Sequence, residues 1–111
     1  MTTLINIHHK SKYDIYIGRA GKGQDGYFGN PKEHSADGAP RDVQVERFRV
    51  YFYKRIAEDA EFKRRVLQLK DEILACFCYP KLCHGMVYIE YLEGISVNEQ
   101  MQVCNEIDFF D

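Results

Sequence analysis

The chain has 111 residues, 45% of them hydrophobic and 29% charged, with a net charge of -2 and a pI near 6.1. That length predicts one domain, 1–111, able to hide roughly two-thirds of the surface its unfolded chain exposes. The charge argues against a surface that coats extended nucleic acid, no apolar run approaches the ~20 residues of a bilayer span, and Met1-Thr2-Thr3-Leu4 lacks the basic and apolar regions of a signal peptide. The expectation is a cytoplasmic protein with reduced cysteines and no membrane partner.

Leu4 to His8 is β-branched and imperfectly alternating, which predicts a short strand. Lys10-Ser11-Lys12 reads as a polar turn. Tyr13 to Ile17 is a stronger strand signal, rich in aromatic and β-branched residues. It runs straight into Gly18-Arg19-Ala20-Gly21-Lys22-Gly23-Gln24-Asp25-Gly26-Tyr27-Phe28-Gly29-Asn30-Pro31, which holds five of the eight glycines. A Gly-rich loop after a strand can turn several N–H groups toward a phosphate, and Arg19 and Lys22 add positive charge. The spacing matches neither the Walker pattern nor the dinucleotide fingerprint, so a plain surface loop stands beside ligand binding. Lys32 to Arg41 reads as loop, with His34 solvated.

From Asp42, a fair N-cap, the period changes: Val45, Phe48, Phe52 and Ile56 share one helical face. Arg47, Arg49, Lys54 and Arg55 make this helix basic, and a solvated face is favoured over a phosphate-binding one. A second helix, about 59–70, buries Phe62, Val66 and Leu69, with Lys63, Arg64 and Arg65 outward. Ile73 to Cys78 reads as a buried strand ended by Pro80. His84 to Leu92 predicts a helix stopped by Gly94. Ser96 and Glu99 have capping-box spacing before a last helix, about 96–107, in which Cys104 fills apolar space. The tail, Asp108-Phe109-Phe110-Asp111, offers two phenylalanines to the body or to a partner subunit.

Three of the four cysteines and one of the four histidines fall within Cys76-Phe77-Cys78-Tyr79-Pro80-Lys81-Leu82-Cys83-His84-Gly85. Three mechanisms compete there, beside a plain structural reading in which small cysteines pack the sheet and the histidine is satisfied by the backbone. Zinc takes thiolate and imidazole ligands, and Cys76, Cys78, Cys83 and His84 supply four, but the usual knuckle spacing is absent. Cys83, at the start of a helix, could be a nucleophile with a lowered pKa, with His84 as its base. Binding without covalent chemistry asks least: the N–H groups at Cys83-His84-Gly85 suit an anion, and Gly85 lets a ligand come close.

The ordered motifs Tyr16-Ile17-Gly18-Arg19, Gly29-Asn30-Pro31 and Cys76-x-Cys78-x-Pro80-x-x-Cys83-His84-Gly85 resemble those of the bacterial and phage family called domain of unknown function 4326. The likeness spans about 13–92 and leaves the glycine insert, 21–26, and the last helix outside the shared motifs. It implies a small α/β domain, similar to Rossmann-like nucleotide-binding proteins, with Gly18, Arg19, Asn30, Pro31, Cys76, Cys78, Cys83, His84 and Gly85 gathered at one site. It implies no settled reaction, and it suggests a viral source.

The reading is therefore an α/β fold with a mainly parallel sheet flanked by helices. The strands ending at Ile17 and Cys78 would be neighbours or near neighbours, with a pocket over their ends. Gly18, Arg19, Lys22, Asn30, Cys83, His84 and Gly85 would bind an anionic, nucleotide-type small molecule, with Tyr16, Tyr27 or Phe28 stacking on a base. In a phage, such a module would sequester a signalling nucleotide in the host cytoplasm, and homo-oligomers would enclose the pockets. The rivals are an enzyme acting on a nucleotide or nucleoside through Cys83 or His84, and a zinc-stabilised interaction protein.

Overall fold

In the computed structural model the described residues are 1–8, 12–21 and 23–110, with backbone alone for 104–110. Among these residues the fold is mixed α/β, a small three-stranded parallel sheet with four α-helices. Strand β1 is Thr3–Asn6, β2 is Ile15–Tyr16 and β3 is Ile73–Cys76. Helix α1 is Arg41–Glu58, α2 is Ala60–Leu67, α3 is Gly85–Glu93 and α4 is Val97–Phe110. Among the described residues no helix is long and apolar enough to cross a membrane.

β3 is the central strand, and β1 and β2 pair with its two edges in parallel. Leu74 faces Leu4 on one side and Ile15 on the other, while Ala75 lies between Ile5 and Tyr16. Side chains alternate along a strand, so Leu4, Leu74 and Cys76 share the face that joins the core. Ile17 prolongs β2 by donating its N–H to the Ala75 carbonyl at 2.9 Å, and its side chain is fully buried. The expected adjacency of the strands ending at Ile17 and Cys78 therefore holds.

The helices complete that core. Val45, Phe48 and Phe52 are the buried residues of α1, the predicted face, and meet Phe62 and Val66 of α2. Tyr88 of α3 lies among Phe48, Phe52 and Phe28, with ring centroids 5.0 to 5.9 Å apart. Burying such rings supplies non-directional stabilisation, and their edge-to-face pairings add about 0.5–1.5 kcal/mol each.

Several boundaries differ from the sequence reading for local reasons. α1 starts at Arg41 directly after Pro40, so Asp42 sits in the first turn and is not the cap. Asp59 caps α2, its Oδ1 accepting the Phe62 N–H at 3.0 Å. α2 ends at Leu67, and Asp71 adopts a left-handed φ of 68° before β3. β3 stops at Cys76 because Asn6 Nδ2 donates to the carbonyls of Phe77 and Tyr79, at 2.9 and 2.8 Å, and draws the chain out of the sheet. The Tyr79–Pro80 peptide bond in that turn is cis. Gly94, with φ 72°, closes α3 as expected. Ser96 Oγ accepts the Glu99 N–H at 3.1 Å, so the capping-box signal is real. Lys10, Ser11, Lys22 and Asp111, and the side chains of Cys104, Asp108, Phe109 and Phe110, lie outside the described residues.

Candidate functional site

At the carboxyl ends of β2 and β3 lies a cavity of about 380 Å³, within the ~300–1,000 Å³ of small-molecule sites. One wall is the exit of β2, with Tyr16, Gly18, Arg19 and Ala20. Tyr16 folds back so that its hydroxyl donates to the Arg19 carbonyl at 3.1 Å. The facing wall is the exit of β3 and the approach to α3, with Cys76, Phe77, Cys78, Leu82, Cys83 and His84. Asn30 and the start of α1, with Arg41, Gln44 and Val45, complete the lining.

The loop 18–30 is held by its own contacts. Gly21 and Gln24 exchange backbone hydrogen bonds at 3.1 and 2.9 Å, and Gly29 N–H donates to Gly26 at 2.9 Å. Its two ends touch: a Cβ at Gly29 would lie 2.6 Å from the Gly18 carbonyl oxygen, so only glycine permits the approach. Arg19 is braced across this closure, Nε donating to the Asn30 carbonyl at 3.2 Å and Nη2 to Ser35 Oγ at 2.9 Å.

His84 is the cap of α3, and its Nε2 lies 2.6 Å from the Ile17 carbonyl. Burial lowers its pKa to about 4, only partly opposed by that carbonyl, so the ring is neutral near pH 7. A neutral ring facing a carbonyl must carry its proton on Nε2, which leaves Nδ1 as an acceptor. His34 is not a solvated residue as expected: its Nδ1 lies 2.6 Å from Asn30 Oδ1 and its ring packs edge-on against Tyr51.

Cys76 and Cys83 are almost wholly buried, 1% and 2% exposed, and their sulfurs are 3.3 Å apart. The Cys83 S–H hydrogen bond holds the Cys76 thiol down to about 7, against the opposing effect of burial and with help from the Tyr79 and Cys78 backbone. The same hydrogen bond and burial push Cys83 up. Of the two thiols, Cys76 is therefore the one whose ionisation the contact favours and Cys83 the one whose ionisation it opposes. Among the described residues no three His, Cys, Asp or Glu side chains converge as a metal site would require.

Charge distinguishes this cavity. The chain has seven arginines. Arg47 pairs with Asp37 and Arg49 with Glu90, both at 2.9 Å, Arg55 with Asp59 at 3.4 Å, and Arg64 and Arg65 with Glu61. Arg55 also lies 4.0 Å over the Phe62 ring and Arg65 4.4 Å over Tyr27, so much of the expected solvated basic face is structural. Among the described residues, no carboxylate pairs with Arg19 or Arg41, and both line the cavity, whose lining includes no Asp or Glu.

Of the residues singled out in the sequence, Gly18, Arg19, Asn30, Cys76, Cys78, Cys83 and His84 meet here. Gly85 does not open toward a ligand. A Cβ there would lie 2.8 Å from Leu4 Cδ1 and 3.0 Å from Ile17 Cδ1, so this glycine seats α3 on the sheet. Tyr27 and Phe28 pack among Phe62, Tyr88 and the arginines, away from the cavity. Arg41 and Gln44 were missed. Their signal was slight, a basic residue after Pro40 at a helix start.

Nothing matches in the comparisons with curated proteins and with solved structures. A family model does match, over residues 5–94, and those residues contain both strand exits, the start of α1 and the start of α3. The chain belongs to the family described as Domain of unknown function (DUF4326).

Proposed function

We propose that the cavity binds an anionic, nucleotide-type small molecule, in a small Rossmann-like domain. The observation that carries this reading is the pair Arg19 and Arg41: two guanidinium groups without a carboxylate partner among the described residues, in a cavity lined by no acid. An unpaired arginine beside an open cavity is ready to form charge-assisted, two-pronged hydrogen bonds to phosphate or carboxylate oxygens. Arg19 is held in place by Asn30 and Ser35, so little side-chain freedom is lost when an anion arrives. The position, at the carboxyl ends of adjacent parallel strands, is where open α/β sheets hold ligands. Beyond the arginines, Tyr16 and half-exposed Phe77 offer ring surface for a base. His84 Nδ1 would accept a hydrogen bond from a ligand hydroxyl or amine, and Asn30, with Oδ1 turned to His34, would donate through Nδ2.

The reading extends to sequestration of a signalling nucleotide, in a phage-infected cell, by a homo-oligomer. Sequestration fits the side chains better than nucleophilic chemistry by Cys83 with His84 as base. Cys83 is the thiol that its neighbour and burial keep protonated, and His84, its pKa lowered to about 4, is a weak base for it.

Thermal unfolding against a panel of nucleotides and dinucleotides tests the proposal. A true ligand at 100 times its dissociation constant adds roughly 2.7 kcal/mol of stability. Denaturing the complex and weighing what is released then separates the readings. An unchanged ligand supports sequestration, a product supports an enzyme, and no stabilisation by any compound refutes both.

A further inference from the structure

The Cys76 and Cys83 thiols make none of the ligand contacts proposed above, yet both line the cavity, and their sulfurs touch. The two sulfurs come from different elements, one from the end of β3 and one from the approach to α3. They are in contact at 3.3 Å, and a disulfide needs an approach of only about 1.2 Å more. The turn between them is fastened to β1 through Asn6, so the contact does not depend on a free loop closing.

We infer that Cys76 and Cys83 form a reversible dithiol–disulfide site at the wall of the cavity, oxidised by a small peroxide. The size of the oxidant follows from burial. Both thiols are hidden except toward the cavity, which admits hydrogen peroxide to a sulfur more readily than a bulky organic disulfide. Cys76 is the attacking sulfur in this scheme: the 3.3 Å contact places the two sulfurs for exchange, and it lowers the pKa of Cys76 while raising that of Cys83. Cys76 Sγ attacks one peroxide oxygen, the O–O bond breaks, and the departing hydroxide takes a proton to become water. Cys76 is then a sulfenic acid. The Cys83 sulfur attacks that sulfur, the S–O bond breaks, and a second water leaves with the proton Cys83 gives up. The dithiol has lost two electrons, and the peroxide has gained them. A thiol reductant reverses the change.

This inference stands apart from the nucleotide proposal, and its test contains no nucleotide. Trypsin cuts after Lys70 and after Lys81, so Cys76 falls in peptide 71–81 and Cys83 in peptide 82–111. The whole wild-type chain is treated with hydrogen peroxide, free thiols are blocked with iodoacetamide, and the monomer is digested without reductant. The expected result is a covalent pair of these two peptides, absent from the untreated protein and removed by dithiothreitol. Cys78 and Cys104 share those peptides, so the same digest is made on Cys78→Ser with Cys104→Ser. The cross-link must survive there. In Cys83→Ser, dimedone should mark Cys76 as the trapped sulfenic acid. Loss of the cross-link in the Cys78/Cys104 variant, or wild-type cysteines that remain fully alkylated after peroxide, overturns the inference. Fragment-ion spectra of the wild-type peptide pair, with Cys78 and Cys104 carrying the alkyl group and Cys76 and Cys83 not, decide even where a variant does not fold.

Discussion

Nε2 of His84, at the threshold of α3, lies 2.6 Å from the carbonyl oxygen of Ile17, at the exit of β2. The bond ties the two walls of the cavity to each other, and it uses a neutral ring. Its pH dependence follows from the lowered pKa. The unfolded chain binds a proton near pH 6.5, and the folded chain does so only near pH 4. This contribution to stability is therefore complete above about pH 6.5 and is lost as the pH falls toward 4. Between pH 7 and pH 5 the loss is on the order of 2 kcal/mol. His84→Gln, which keeps an amide donor but cannot titrate, should lack that component. Urea unfolding of both proteins at the two pH values gives the difference directly, and equal losses would show that His84 does not carry it.

Arg41 is exposed and carries no ion pair among the described residues. Arg41→Ala should leave the free protein's stability within about 0.5 kcal/mol, the usual range for a surface change. The same substitution should weaken the nucleotide that best stabilises the wild type by about tenfold or more, since a hydrogen bond to a charged group is worth ~1.5–3 kcal/mol. Calorimetric titration beside thermal unfolding reads both quantities. Unchanged affinity would remove Arg41 from the site.

The thiolate of Cys76 depends on its neighbour. Removing the S–H donor with Cys83→Ala should raise the Cys76 pKa from about 7 toward the ordinary ~8.5 of a free thiol. The pH profile of iodoacetamide labelling at Cys76, followed by peptide mass, should shift to higher pH. A profile that stays in place would assign the lowering to the Tyr79 and Cys78 backbone alone.

Two glycines should respond unequally to alanine. At Gly85 the added methyl meets the ends of the Leu4 and Ile17 side chains, which can turn aside within the core at a cost of about 1–2 kcal/mol. At Gly29 it meets the Gly18 carbonyl oxygen at 2.6 Å and Arg19 Cα at 2.9 Å, and backbone cannot turn aside. Gly29→Ala should cost more, should release Arg19 from the Asn30 carbonyl, and should weaken ligand binding. Denaturant midpoints rank the two, and the reverse order would contradict this account of the loop.

Local signals carried much of the fold. The spacing of Val45, Phe48 and Phe52 gave the buried face of α1, and Gly94, Ser96 and Glu99 marked the ends of α3 and the start of α4. The strand residues around Leu74 gave the central strand but not its end. Cys76 and Cys78 alternate like a strand, while the side chain that ends the pairing, Asn6, comes from the first strand of the chain. The site was half legible for the same reason. Arg19 and His84 stand in motifs, whereas Arg41 reaches the cavity only because α1 begins beside it. Gly85 looked like room for a ligand and is room for Leu4, a distinction that needs the packing partner. The arginines of α1 were readable as basic, but which carboxylates neutralise them depends on tertiary pairing, as with Arg49 and Glu90.

The closed base of the loop 18–30 has a practical consequence. With Gly18 and Gly29 pressed together, the walls of the cavity are set at the neck, and the far end around Gly23 hangs outside that closure. Loops of this Ω shape tolerate substitution and lengthening at their tips. The tip is therefore a place to graft a short tag or an environment-sensitive dye a few residues from Arg19, turning occupancy of the cavity into an optical signal while the neck keeps its shape.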